Sequence, residues 1–172
     1  NSYKTGVEHH LKTKGIEQIA NGTADTDRMA QPVLLKTNSS NLIANPELSE
    51  EIFGPTSILI EADSKTDILE IAKNLTGHLT ATVHGTENDL LDILEQKVGR
   101  LVINGFPTGV EVCSAMVHGG PFPSTTDSRS TSVGTAAIYR FTRPVSYQDM
   151  PQSLLPAELK NNNELGIFRL VN

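Results

Sequence analysis

Apolar residues near the start of the chain recur at helical spacing. The pattern runs over residues 3–20 and ends at Asn21 and Gly22, a pair typical of a helix C-terminus. Its apolar members are Tyr3, Val7, Leu11, Ile16, Ile19 and Ala20. We therefore predict one helix over this segment, broken or kinked near Gly15.

Further along, strand and helix signals alternate. β-rich runs predict strands over residues 31–36, 57–61, 79–84 and 100–104. Pro32 stands near the start of the first run, where a missing N–H does least harm.

Two helices are predicted between the last three strands. Ser64 and Asp67 form a start that resembles a capping box. Thr86 and Asp89 mark the start of the second helix, which Gly99 ends. The expected buried faces carry Ile68, Ile71, Ala72 and Leu75 in the first helix and Leu90, Ile93, Leu94 and Lys97 in the second. Crossovers of this length imply parallel strands, so the predicted fold class is α/β, with a largely parallel sheet covered by helices.

The rest of the chain is less regular. Residues 105–134 are rich in Gly, Pro, Ser and Thr, and so long an irregular stretch favours a functional loop. A short helix is predicted over residues 136–140. Residues 141–147 alternate around Pro144, which suits an edge or irregular strand. We divide the chain into residues 1–140, a strand segment at 141–150 and a tail at 151–172.

Composition narrows the class of protein. A length of 172 residues with 37% hydrophobic and 20% charged residues predicts about one globular domain. Fourteen basic against 20 acidic residues give a net charge of −6, which disfavours nucleic acid as a partner. A lone cysteine and the lack of a long apolar run predict a reducing, cytoplasmic location without a membrane span. The chain starts without Met and ends just after an apolar stretch, so we expect a fragment.

Several common sites find no support. The glycine-rich phosphate loops and the serine elbow of hydrolases are absent, and the adjacent His9 and His10 diverge on a helix, so no metal site is predicted. Cys113, with His118 five residues later, is a candidate nucleophile. Its apolar neighbours disfavour the thiolate and favour a buried or pocket-lining cysteine.

Residues 45–55 are the most informative segment. Asn45 and Pro46 predict the cap and first residue of a helical turn that ends before the next strand. Glu50 and Glu51 are adjacent, so one is expected to face solvent and the other a pocket. A carboxylate suits both hydroxyls of a ribose, although an ordinary solvated acid is the alternative.

Three ordered motifs resemble the aldehyde dehydrogenase superfamily. They are Glu50-Glu51-Ile52-Phe53-Gly54-Pro55, Asn74-Leu75-Thr76-Gly77-His78-Leu79-Thr80-Ala81 and Gly99-Arg100-Leu101-Val102-Ile103-Asn104. The loop motifs Pro107-Thr108-Gly109-Val110-Glu111-Val112-Cys113 and Met116-Val117-His118-Gly119-Gly120-Pro121 resemble the branch of 2,5-dioxovalerate (α-ketoglutaric semialdehyde) and bacterial long-chain aldehyde dehydrogenases.

The resemblance implies the C-terminal part of an NAD- or NADP-dependent enzyme that oxidises a semialdehyde or a fatty aldehyde to a carboxylate. The nucleophilic cysteine, the base glutamate and the nucleotide-binding domain would precede Asn1, leaving no catalytic residue in this chain except possible support from His118. By resemblance, Glu51 and Phe53 bind the cofactor, and Val110, Cys113 and His118 line the substrate entrance. The strand at 141–150 would join a homo-oligomer. The alternative is a stand-alone α/β interaction or regulatory module without catalysis.

Overall fold

The computed structural model describes residues 2–24, 26, 29–107 and 109–170. The chain divides into two compact units, Asn1–Arg140 and Phe141–Asn172. No helix in the described ranges is long and apolar enough to cross a bilayer.

The first unit opens with a helix and a three-stranded sheet. The helix is α1 (Ser2–Lys12), and the strands are β1 (Glu17–Asn21), β2 (Val33–Asn38) and β3 (Thr56–Glu61). The strand order is β1-β2-β3, with β1 antiparallel and β3 parallel to β2. Between β2 and β3 lie α2 (Ser39–Ala44) and a 3-10 turn, Pro46–Ser49.

The predicted opening helix is correct only in its first half. Gly15 has a φ of +86° and separates α1 from β1, which occupies the second half. All five residues of β1 are exposed, so the apolar spacing of Ile16, Ile19 and Ala20 does not report a buried helix face. Backbone pairing with β2 decides the conformation instead.

Two β-α units follow one another, as predicted. The first is β3 with α3 (Lys65–Asn74), the second is β4 (His78–Val83) with α4 (Asn88–Leu94), and β5 (Val98–Ile103) comes after them. Strands β4 and β5 are parallel, which confirms the α/β class. The strands are divided between two sheets, because within the described residues β4 pairs only with β5.

The helix starts differ from one another. Ser64 caps α3 as predicted, since its Oγ accepts the N–H of Asp67 at 3.2 Å. Helix α4 begins two residues after Thr86, with Glu87 as a cap that makes no side-chain hydrogen bond, and it ends well before Gly99. Lys65 Nζ forms ion pairs with Glu87 at 2.6 Å and with Asp89 at 3.3 Å, and these connect the starts of α3 and α4.

A small apolar core lies between α3, α4 and the β4–β5 sheet. Its buried members are Ala72, Val83 and Leu94, with partly buried Leu75, Ala81, Leu90, Leu91, Ile93 and Leu101 around them. Ile68, predicted to be buried, is 43% exposed. Leu91, which the prediction omitted, belongs to this core.

The C-terminal half is mostly irregular. The described residues of 105–134 form neither helix nor strand, and the short helix predicted at 136–140 is a 3-10 helix, Thr135–Phe141. In the second unit, residues 142–147 have neither helix nor strand in the single chain, and a 3-10 turn spans Ala157–Leu159. The strand predicted for this segment therefore stays a prediction, because its ladder needs a partner.

Candidate functional site

The segment at 50–55 is held in place by α1. The Tyr3 hydroxyl donates to the carbonyl oxygens of Gln31 at 2.6 Å and Pro55 at 3.3 Å. Gly54 has a φ of +152°, and a Cβ there would overlap the Tyr3 ring. A Cβ on Gly6 would lie 3.0 Å from Ile52. Helix α1 therefore packs closely against Ile52 and Gly54, the residues on either side of Phe53.

Glu51 opens onto a cleft of about 520 Å³. This volume lies within the range of small-molecule sites. The cleft is lined by Ser49, Glu50, Glu51, Thr76, Gly77, His78, Leu79, Thr80, Pro123 and Ser124. Two of the three sequence motifs and the 105–134 loop therefore meet in one cavity, which we call the Glu51 cleft.

The chemistry of the Glu51 cleft favours hydroxyl donors. The Glu51 carboxylate forms no hydrogen bond or ion pair with any residue in the described part of the chain, so its oxygens are available as acceptors. The lining has two carboxylates and neither Lys nor Arg. Such a wall repels phosphate and suits neutral polyol groups such as a ribose.

The two adjacent glutamates are not separated as expected. Glu50 and Glu51 are both exposed, and both line the Glu51 cleft. The 3-10 turn ends at Ser49, so these residues lie beyond the helical backbone on which the expected divergence depended. Phe53 is 82% exposed and is not part of the cleft lining, although it lies only two residues from Glu51.

The 105–134 loop packs across the N-terminal ends of β4 and β5 through close glycine contacts. A Cβ on Gly77 would overlap the carbonyl oxygen of Pro121, and one on Gly99 would overlap that of Gly119. A Cβ on Gly120 would lie 2.7 Å from the carbonyl oxygen of His78. These approaches leave no room for side chains, and they bring Pro123 and Ser124 to the Glu51 cleft.

His118 lies in a different cavity, of about 350 Å³. That cavity is lined by Leu79, His118, Thr125, Thr126, Asp127, Ser130, Thr131, Ser132 and Arg140. The backbone N–H of His118 donates to Thr131 Oγ1 at 2.8 Å, which fixes its position in the loop. Asp127 lines the same cavity. Its pKa is lowered mainly by a hydrogen bond from the Ser130 hydroxyl and next by one from the Arg129 N–H.

The predicted entrance residues are therefore not gathered in one place. Cys113 is exposed and Val110 is half-buried, and neither lines the Glu51 cleft or the His118 cavity. Leu79 is shared by the two cavities. Within the described ranges, no group of three or more His, Cys, Asp or Glu side chains is arranged to hold a metal ion.

Sequence reasoning gave no site role to most of the cleft lining, which includes Thr76, His78 and Ser124. His78 Nε2 is buried and has no hydrogen-bond partner among the described residues. Thr76 and His78 belong to the second motif, residues 74–81. Their place in that motif was the signal that could have identified them as site residues. Ser124 reaches the cleft only through the glycine contacts, which no local pattern reveals.

Similarity to known proteins settles the class. Residues 4–144 match the aldehyde dehydrogenase family. The chain belongs to this family. It is 50% identical over 99% of its length to the α-ketoglutaric semialdehyde dehydrogenase of Acinetobacter baylyi, and it covers 34% of that protein. It is 43% identical over 98% of its length to α-ketoglutaric semialdehyde dehydrogenase 2 of Azospirillum brasilense, again covering 34%.

The fold is shared with solved aldehyde dehydrogenases. The NAD-bound Δ-pyrroline-5-carboxylate dehydrogenase of Mycobacterium tuberculosis matches 90% of this chain with a TM-score of 0.60 and 16% identity. The match covers 30% of that structure, and the chain spans about a third of the length of its curated relatives. These findings confirm the family resemblance seen in the sequence.

Proposed function

We propose that this chain is the C-terminal part of an NAD(P)-dependent aldehyde dehydrogenase that oxidises a semialdehyde of the 2,5-dioxovalerate type to its carboxylate. One observation carries the proposal: the two relatives named for this activity are 50% and 43% identical across nearly all of the chain. The fatty aldehyde considered from the sequence is the less favoured substrate, since neither name includes it.

The Glu51 cleft suits one end of the cofactor. Glu51 would accept hydrogen bonds from both hydroxyls of the nicotinamide-side ribose, because its carboxylate is available and neither Lys nor Arg is among the described residues that line the cleft. The exposed ring of Phe53 would pack beside the nicotinamide and limit its rotation. The bound cofactor supplies the hydride acceptor.

The remaining assignments concern the aldehyde. The 105–134 loop would border the entrance through Val110, Cys113 and His118. The nucleophilic cysteine and the base glutamate would come from a preceding segment together with the nucleotide-binding domain. We call a polypeptide that contains those parts and this chain the complete enzyme.

The test compares the 172-residue chain with the complete enzyme. Reduced cofactor is followed after 2,5-dioxovalerate or a long-chain aldehyde is added with NAD or NADP. We expect turnover only by the complete enzyme, with a higher kcat/KM for the semialdehyde. A folded complete enzyme that oxidises no aldehyde would favour the non-catalytic interaction module instead.

A second outcome would place the nucleophile within this chain rather than in a preceding segment. Steady production of reduced cofactor by the rigorously purified 172-residue chain, abolished by Cys113→Ser, would contradict the proposal. It would assign the covalent step to Cys113, the one cysteine in the sequence.

A further inference from the structure

Arg100 connects the second sheet to the start of the 105–134 loop. Its Nη1 donates to the carbonyl oxygen of Gly109 at 2.6 Å, and its Nη2 donates to that of Pro107 at 3.3 Å. A guanidinium presents its donors in a rigid planar fork, so one side chain can hold two carbonyl groups at once. A lysine ammonium has no such fork.

The same side chain also reaches the wall of the Glu51 cleft. Arg100 Nε donates to Thr80 Oγ1 at 3.4 Å, and Thr80 is the register partner of Arg100 in the β4–β5 ladder. Thr80 lines the Glu51 cleft. Arg100 therefore spans the distance between the cleft wall and the first residues of the loop.

No carboxylate among the described residues lies within ion-pair distance of Arg100. Its side-chain hydrogen bonds go to two backbone carbonyls and one hydroxyl. Hydrogen bonds from a charged donor are roughly twice as strong as neutral ones. The guanidinium is thus committed to the loop rather than to a structural salt bridge.

We propose that Arg100 is a positioning residue for the aldehyde. By fixing Pro107 and Gly109, it sets where Val110 and Cys113 stand relative to the Glu51 cleft, and so sets the affinity for the aldehyde. This inference rests on the proposed function, because the entrance role of the loop does.

The first test measures the loop in the 172-residue chain. A nitroxide attached to Cys113, the single cysteine, reports the mobility of the loop by electron paramagnetic resonance. We expect Arg100→Lys and Arg100→Gln to increase label mobility, because both lose the fork. Arg129→Gln is the matched control, since the Arg129 side chain is 94% exposed and its ion pair is with the nearby Asp127.

The second test measures kinetics in the complete enzyme. We expect both Arg100 variants to raise the KM for 2,5-dioxovalerate about five- to tenfold. This is less than the loss of a direct charged hydrogen bond to the substrate would give, because Arg100 acts on the aldehyde only through the loop. The KM for the cofactor and kcat should change less than twofold. A purely structural role would lower kcat and stability together. Arg100→Lys keeps the charge and most of the length, so it remains informative if Arg100→Gln fails to fold.

Two results would overturn the inference. One is a label mobility in Arg100→Lys equal to that of Arg129→Gln. The other is an aldehyde KM that Arg100→Lys leaves unchanged, which would mean that charge alone matters. A complete enzyme without any aldehyde activity would instead contradict the proposed function, and the label mobility would still decide whether Arg100 holds the loop.

Discussion

The backbone of Gly119 passes so close to Gly99 that a Cβ on Gly99 would overlap the Gly119 carbonyl oxygen. Gly99 is in β5, and Gly119 is in the 105–134 loop, so this contact fixes the loop against the sheet. Since the obstacle is backbone, a side chain cannot relieve the overlap by changing its rotamer.

Gly99→Ala should therefore destabilise the chain by about 1–3 kcal/mol, the usual cost of overpacking. Urea unfolding measures it. Gly109→Ala is the control, because no non-neighbouring atom of the described residues lies within 4 Å of a Cβ placed there. Equal unfolding free energies for the two variants would contradict the close contact.

In the complete enzyme, Glu51→Gln should slow hydride transfer more than it weakens cofactor binding. Losing a charge-assisted hydrogen bond costs about 1.5–3 kcal/mol, which is roughly a tenfold to hundredfold change in rate if felt in the transition state. Single-turnover measurements of cofactor reduction test this, with the exposed Glu47→Gln as control. Unchanged hydride transfer would remove Glu51 from the site, and slowing by Glu50→Gln alone would transfer the role to Glu50.

The sequence predicts the local features of this fold but not its long-range pairing. The Ser64 cap and the Pro46 turn were predicted because each depends on a few neighbouring residues. Strand β1 was missed because its conformation depends on pairing with β2 rather than on its own apolar spacing. The separation of β3 from β4 was missed because sheet order is not written in any one segment.

The same distinction holds for the candidate site. Glu51 could be found because a short motif carries it, and the cleft around it brings that motif beside Thr76 and His78. Ser124 could not, because it reaches the cleft through backbone contacts that join distant parts of the chain. The position of His118 in a separate cavity depends on the path of the whole 105–134 loop, so no short motif predicts it.

Stability should fall at low pH partly through Asp67. Hydrogen bonds from Ser64 and Ser39 lower the pKa of the Asp67 carboxyl, and Ser39, on α2, is almost fully buried. Because the folded pKa lies below the unfolded one, the contribution is present above the unfolded value of about 4 and is lost as the pH falls through the folded pKa.

Urea unfolding at pH 7 and near pH 3 tests this prediction. Asp67→Asn should lose less stability than the parent chain between the two pH values. Asp92→Asn is the control, as Asp92 lies on α4 outside this network. An acid sensitivity that Asp67→Asn leaves intact would exclude this carboxyl as a source.

His118→Ala in the complete enzyme should slow hydrolysis of the acyl intermediate severalfold and change its pH profile, if His118 supports catalysis from beside the entrance. The exposed His9→Ala provides the control. Acylation and deacylation rates that both keep their pH profiles would leave His118 with a structural role, consistent with its backbone bond to Thr131.

The segment after residue 140 should associate with another chain. Val145 and Tyr147 are 55% and 43% exposed, and they would lie on one face of a strand. Pro144 removes one donor from the ladder, as an edge strand permits. An unpaired edge with an apolar face recruits a partner strand, so we expect the chain to form dimers or larger species at micromolar concentration.

Sedimentation velocity distinguishes a chain that associates from one that stays monomeric. Val145→Lys should shift the chain towards monomer, because it places a charge on the apolar face. Ser146→Lys adds the same charge to the opposite face of the predicted strand and should leave the association intact. A parent chain that sediments as a stable monomer, identical to Val145→Lys, would show that this segment is not an association surface and would remove the basis for an oligomer built through it.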